Sequence, residues 1–192
     1  MSSVVISGNT SGSVSLVAPD VAGSSVQTLA SVSGTLAPLV SGTAVTASGT
    51  SVDFTGIPAW AKRITVMFGN ISSSGTSIFQ IILNGETTGY TSSVARITPV
   101  NFSSGGSSTT GWTLTTGNNA ASFYSGVATI LLLNPSTNQY SITGNMNQND
   151  GGSSLNHFTG TKSTTAALNS VRITTVNGTD TFDAGTINIM YE

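Results

Sequence analysis

Short runs in which apolar and polar residues alternate recur along the chain, and stretches of Gly, Ser, Thr and Asn separate them. Alternation with a period of two residues is typical of β-strands that bury one face. No stretch combines helical periodicity with capping residues, and the glycine and β-branched content disfavours helix throughout. The pattern therefore predicts an all-β protein, with at most a single helical turn at residues 58–62.

The character of the sequence changes near residue 43. Residues 1–42 contain no Lys, Arg or aromatic residue and carry only short alternating runs, at residues 13–16 and 30–33. Because this segment has too few large apolar side chains to form a core of its own, we expect a short extended β arm that packs against symmetry mates or another protein. Residues 43–192 carry the aromatic residues and regularly spaced strand patterns, which predict an antiparallel, jelly-roll-like β-sandwich.

Turn signals support antiparallel pairing within this predicted domain. Asn84-Gly85 and Asn177-Gly178 fit the two-residue turns that need positive φ at both central positions, so each predicts a β-hairpin. The predicted strands cover residues 43–54, 63–69, 77–83, 111–115, 127–133, 140–145, 155–160, 171–176 and 186–191.

Charged residues make up only 6% of the chain, against roughly a quarter in ordinary soluble domains. Ser, Thr, Asn and Gly stand where charge would normally occur, while 38% hydrophobic residues suffice for a folded core. The net charge is -2 and the basic residues are dispersed apart from Lys62-Arg63, so we expect no nucleic-acid binding. The absence of cysteine excludes disulfides and Cys-ligated metals.

The longest apolar run, residues 127–133, is interrupted by Thr129 and is much shorter than the roughly 20 residues of a spanning helix. The first residues carry neither a positive region nor a sustained apolar segment. We therefore expect no membrane insertion and no secretory signal.

Three groups of residues partly match catalytic or metal sites. His157 is the only histidine, and nothing around it resembles a nucleophile elbow. Asp180 and Asp183 are close in sequence as a glycosidase pair would need, but Asp more often caps turns. Residues 145–151 echo a calcium loop, yet the first ligand positions are neutral amides and Asn156 replaces the closing Glu. We predict no enzyme activity, no cofactor and no metal site.

Three stretches rich in Gly, Ser, Thr and Asn predict exposed loops, at residues 103–110, 116–121 and 147–154. Loops at one end of a sandwich are common binding sites. Trp112 and Tyr124 lie beside these loops and are the candidate contacts for a glycan, since apolar rings can stack on sugar faces. Packing in the core or at a subunit interface is the alternative for both rings.

Three segments resemble phage and prophage tail-fibre or minor structural proteins. The first is residues 6–36, ISGNTSGSVSLVAPDVAGSSVQTLASVSGTL. The second, residues 46–72, reads TASGTSVDFTGIPAWAKRITVMFGNIS, and the third, residues 169–192, reads NSVRITTVNGTDTFDAGTINIMYE. The last two are similar to a phage-associated domain of uncertain function. The resemblance implies a virion protein that is commonly a homotrimer, and it brings no catalytic residues.

Taken with the resemblance, the residue patterns predict a structural subunit of a tailed-phage virion, assembled in the host cytoplasm. We expect a self-associating, homotrimeric tail fibre or receptor-binding appendage, attached to other virion proteins through residues 1–42 and with a host surface glycan as its candidate receptor. Exposed strand edges invite pairing, and closed oligomers cover them. A capsid decoration (cement) or head-fibre protein is the alternative. An enzymatic depolymerase is the least favoured hypothesis, because it would need a cleft with convergent carboxylates.

Overall fold

The computed structural model describes residues 3–7, 13–17, 38–105, 107–149 and 153–192. Within these ranges all regular elements are β-strands, their pairings are antiparallel, and no helix is long and apolar enough to cross a bilayer. The chain divides into two compact units, Met1–Leu36 and Ala37–Glu192. The prediction of an all-β antiparallel fold is confirmed.

The first unit contains a two-stranded hairpin. Strand β1 (Ser3–Ser7) pairs with β2 (Ser13–Val17), and Ile6 lies opposite Val14. The alternating run predicted at residues 13–16 is part of β2, whereas the run at 30–33 lies outside the described residues. An isolated hairpin is marginally stable in water.

The second unit is a sandwich of two antiparallel sheets. One sheet has four strands in the order β10-β7-β14-β5, and the other has nine, in the order β3-β15-β6-β11-β12-β13-β8-β9 with β4 also pairing with β15. The strands are β3 (Val40–Ser41), β4 (Val45–Thr46), β5 (Ser51–Thr55), β6 (Arg63–Ser73), β7 (Phe79–Leu83), β8 (Tyr90–Ile97), β9 (Phe102–Gly105), β10 (Trp112–Thr113), β11 (Phe123–Asn134), β12 (Gln139–Asn149), β13 (Ser153–Ser163), β14 (Ser170–Thr175) and β15 (Phe182–Tyr191).

Aromatic side chains fill the space between the sheets. The Phe79 ring stacks on Phe182 with a centroid distance of 5.5 Å and meets Tyr124 edge-on at 5.2 Å. Trp112 is edge-on to Tyr90 at 5.5 Å. Full burial of one large apolar side chain stabilises the fold by about 1.5–3 kcal/mol, so these rings supply much of the driving force.

The prediction of one continuous strand at residues 43–54 is wrong, because two separate strands lie there. Residues 45–46 pair with β15 in the nine-stranded sheet, whereas residues 51–55 pair with β14 in the other sheet. Gly49 separates them with a φ of +70°, a conformation that ends an extended strand. The single turn predicted at residues 58–62 is a hydrogen-bonded turn, with 2.9 Å from Ala61 N to Pro58 O.

The two Asn-Gly sequences form turns but no hairpins, so the predicted pairing at both was wrong. Asn84 and Gly85 have φ values of 51° and 70°, as predicted. However, β7 pairs with β10 and β14, while β8 lies in the other sheet. At the second sequence Gly178 has a φ of 68° but Asn177 does not have a positive φ, and the turn connects β14 to β15 across the sandwich. The turn sets the local direction of the chain, but burial of the apolar strand faces decides which sheet each strand joins.

Candidate functional site

Trp112 and Tyr124, the candidate glycan contacts, are both 0% exposed. Trp112 packs against Tyr90, and the Tyr124 hydroxyl donates a hydrogen bond to the carbonyl of Gly117 at 3.2 Å. Neither ring faces solvent, so neither is available to a surface glycan in this structure. Their arrangement corresponds to the alternative reading, packing in the core.

His157 lies on the exposed face of β13, directly opposite Asn145 on β12. Its Nδ1 is 2.7 Å from Asn145 Oδ1, a cross-strand hydrogen bond. Asn147 and Asn149 follow along the same strand, where alternate residues are about 6.6 Å apart and do not converge on one ion. Asp150 lies outside the described residues. Within the part of the chain that is described, no His, Asp and Glu side chains form a metal-binding group.

Asp180 stabilises a turn. Its carboxylate accepts hydrogen bonds from Ser77 N at 2.9 Å and from Asn177 Nδ2 at 2.8 Å. These bonds, that from Asn177 above all, lower the pKa of Asp180 below its ordinary value. A carboxylate held in its charged form by local donors suits a capping role better than proton transfer.

The outward surface of the nine-stranded sheet, which we call the outer face, carries a row of hydroxyl side chains. The strand registers align Thr65, Thr129, Thr143, Thr159 and Ser93 on five adjacent strands. Neighbouring strands are about 4.8 Å apart, so these side chains form a regular array. The row itself contains no ionisable group, and His157 lies two residues from Thr159 on the same face of β13.

A line of apolar side chains crosses this polar array along β11. Its members lie at outward positions of the strand, with Ser125 and Thr129 at the outward positions between them, and are each between 38% and 54% exposed. We call this line the β11 ridge, and it consists of Phe123, Val127, Leu131 and Leu133. At a rise of about 3.3 Å per residue the ridge is roughly 33 Å long.

The inward face of β11 is also apolar, with Tyr124, Ala128 and Ile130 all buried. A strand with one solvated face normally alternates apolar and polar residues, whereas a strand that is apolar on both faces is usually covered on both. In the described chain only the inner face of β11 is covered by the opposite sheet. The ridge is therefore a surface whose composition fits a buried environment.

A second apolar area lies where the outer face reaches the sheet edge at β9. Leu155, Ile97 and Phe102 are direct cross-strand neighbours, and all three are exposed. Val100, in the turn between β8 and β9, is 84% exposed. This edge patch borders a shallow depression of ≈ 290 Å³, which is lined by Ile97, Thr98, Pro99, Asn147, Ser154 and Leu155.

Ion pairs lie at the margins of the outer face or away from it. Arg63, which lies opposite Leu131 of the ridge, pairs with Glu192. Arg172 and Asp53 form a two-point pair on the four-stranded sheet, with 2.7 Å from Nε to Oδ1. Apolar surface with a polar rim is the usual anatomy of a protein interface.

Sequence reasoning missed the β11 ridge, although residues 123–133 carry its signal. Apolar residues occur there at both odd and even positions, but the prediction placed only a strand at residues 127–133 and assigned no role to its outward side chains. The chain was compared with protein-family models, with curated proteins and with solved structures, and none matched.

Proposed function

We propose that the protein is an oligomeric structural subunit of a tailed-phage virion, working as a tail fibre or receptor-binding appendage. The β11 ridge is the observation that supports self-association, because a strand with apolar side chains on both faces is usually covered on both. The resemblance of residues 46–72 and 169–192 to phage structural proteins supports the virion as the setting.

The ridge alone is too small to hold subunits together. Each of its four side chains is about half exposed, so burial of all four would contribute roughly 3–4 kcal/mol per subunit. Association costs an estimated 4–15 kcal/mol in lost freedom of motion, and a stable interface covers about 800 Å² per partner. The ridge must therefore form the centre of a larger contact that includes the hydroxyl row.

Closed symmetry also suits the edge of the nine-stranded sheet. Strand β9 is an edge strand of only four residues, and its sequence FSSG contains no Lys or Pro to discourage pairing. A closed oligomer can cover such an edge, and it can keep the low-charge surface out of non-specific contacts.

Sedimentation of the full chain tests self-association. We expect wild type to sediment as a closed oligomer and the double variant V127T/L131T to shift toward the monomer. Threonine keeps the strand preference while it removes the apolar contact. The matched control is V176T, which makes the same change at a side chain that is 43% exposed and lies outside the nine-stranded sheet. A wild-type chain that stays monomeric at every concentration contradicts the proposal.

Electron microscopy of phage particles labelled with antibody against the purified chain tests the location. Label at the tail supports a fibre or receptor-binding subunit. Label distributed over the head supports the alternative, a capsid decoration or head-fibre protein, and removes the receptor-binding role. Particles that carry no label contradict a virion function altogether.

A further inference from the structure

Strand β10 lies at a seam between the two sheets. It pairs with β7 on one side, whereas on the other side the backbone N–H of Thr113 donates to the Ser92 hydroxyl of β8, at 2.9 Å. Side chains therefore replace a regular backbone ladder along this seam. Where the backbone ladder is interrupted in this way, buried N–H and C=O groups need polar side chains or water as hydrogen-bond partners.

Four buried polar side-chain atoms at or near this seam have no hydrogen-bond partner among the described residues. One of them belongs to β10, one to the residue two positions after it, one to β7 and one to β13. The atoms are Gln80 Oε1, Trp112 Nε1, Thr115 Oγ1 and Asn156 Nδ2. Buried polar atoms without a protein partner are rare in folded proteins, and ordered water is a common partner for them.

Thr115 and Asn156 define the most specific part of this group, since both residues are 0% exposed. The backbone N–H of Thr116 donates to Asn156 Oδ1 at 3.2 Å. This contact fixes the orientation of the amide, because a backbone donor must face the oxygen and not the nitrogen. Asn156 Nδ2 is thereby assigned as the atom without a partner, in a side chain joined to the residue next to Thr115.

We propose that a buried water molecule bridges Thr115 Oγ1 and Asn156 Nδ2. Water can accept from the amide N–H and donate to the hydroxyl oxygen at once, which matches the two groups. A cation would meet the amide hydrogens, and an anion would find no charged donor. One buried water per about 27 residues is usual in globular proteins, so such a site is in the ordinary range.

The bridge would extend a polar layer that already closes this end of the sandwich. Gln148 Nε2 donates to Ser122 Oγ and Ser154 Oγ donates to Gln148 Oε1, both at 3.3 Å, and these residues are buried. Asn156 follows Ser154 on the inward face of β13. The water would connect this layer to the chain that leaves β10, and so hold the start of the 116–121 loop against β13.

A crystal structure of the full chain tests the proposal directly. We expect one water within hydrogen-bond distance of both Thr115 Oγ1 and Asn156 Nδ2. A rotated Thr115 side chain that contacts Asn156 directly, or a site without density for water, would overturn it. This test uses wild-type protein, so it does not depend on the folding of any variant.

The variant T115V provides a second measurement. If the hydroxyl holds a water, the valine leaves Asn156 Nδ2 without a partner, and the folding equilibrium constant falls roughly 5- to 30-fold. The water-to-amide cross-peak of the Asn156 side chain in NMR disappears at the same time. The control T174V removes a hydroxyl that bonds directly to Thr50 O at 2.7 Å, so the cross-peak should persist. A T115V protein that is as stable as wild type overturns the proposal.

Discussion

The Asn84 side chain links the turn after β7 to the segment that leads into β14. Its Oδ1 accepts from the backbone N–H groups of Asn169 at 2.9 Å and Ser170 at 3.2 Å. Its Nδ2 donates to the carbonyls of Ala166 at 3.4 Å and Ala167 at 3.2 Å. Asn84 also has a φ of 51°, which few residues other than Gly and Asn adopt readily.

Three substitutions separate these contributions. N84G removes four hydrogen bonds, of which the two to Nδ2 are long, so we expect a loss of about 2 kcal/mol in the free energy of unfolding. N84A loses the same bonds and keeps a β-carbon at positive φ without the local hydrogen bonds that let Asn tolerate this conformation, for a total of about 3 kcal/mol. N84D keeps the acceptor oxygen but turns a second oxygen toward two carbonyls, which costs about 1 kcal/mol.

Urea unfolding followed by circular dichroism measures these differences, provided that the m-value stays constant. The matched control is Asn138, which has a φ of 47° in the β11–β12 turn and whose side chain makes no hydrogen bond among the described residues. We expect N138G to be neutral or slightly stabilising. If N84G were as stable as wild type, the side-chain hydrogen bonds would not stabilise the fold as argued. If N84A were as stable as N84G, positive φ at residue 84 would impose no strain on alanine.

Three further predictions concern buried contacts. E86Q should lower stability by about 2–4 kcal/mol in urea unfolding, because Lys162 is only 7% exposed and loses its counter-charge. Burial raises the pKa of Glu86, but hydrogen bonds from Lys162 and from the backbone N–H of Thr165 bring that pKa below its ordinary value. This stability is therefore present above the unfolded-state pKa and is lost as pH falls through the lower folded-state pKa, a dependence that E86Q should lack. G160A should cost about 3 kcal/mol, since a β-carbon there would lie 2.6 Å from Trp112 Cδ1, and near-ultraviolet circular dichroism should report the displaced indole. Y90F should cost about 1–3 kcal/mol in the same unfolding assay, because the Tyr90 hydroxyl accepts from a buried N–H of β7 at 2.7 Å.

The sequence predicts the fold class because its strongest signal is local. A period of two residues in runs such as 63–69 and 140–145 depends only on one face being buried, and strands cover both ranges. Strand β8 was missed because its outward residues, Thr91 and Ser93 among them, resemble the loops of a chain in which Ser and Thr occur everywhere. Local pattern thus identifies strands well only where apolar residues contrast with their neighbours.

The surroundings of single side chains could not be predicted in the same way. Trp112 was a candidate surface residue because Gly, Ser and Thr surround it in sequence, yet it packs on Gly160, nearly fifty positions away, and on Tyr90 of another strand. Burial of a ring depends on the sheet that closes over it, and no turn motif encodes that choice. The Asn-Gly turns failed as hairpin signals for the same reason.

The β11 ridge is recognised only when the sequence pattern of β11 is considered together with the exposure of its side chains. From sequence alone, apolar residues on both faces of a strand predict a fully buried strand. From the structure alone, side chains that are 38% to 54% exposed are ordinary, since much of any protein surface is apolar. The sequence pattern and the exposed fractions together identify β11 as a strand that is apolar on both faces but covered on only one among the described residues. Because Val127 and Leu131 are 44% and 38% exposed in the single subunit, we expect V127T/L131T to weaken assembly while the stability of that subunit changes little.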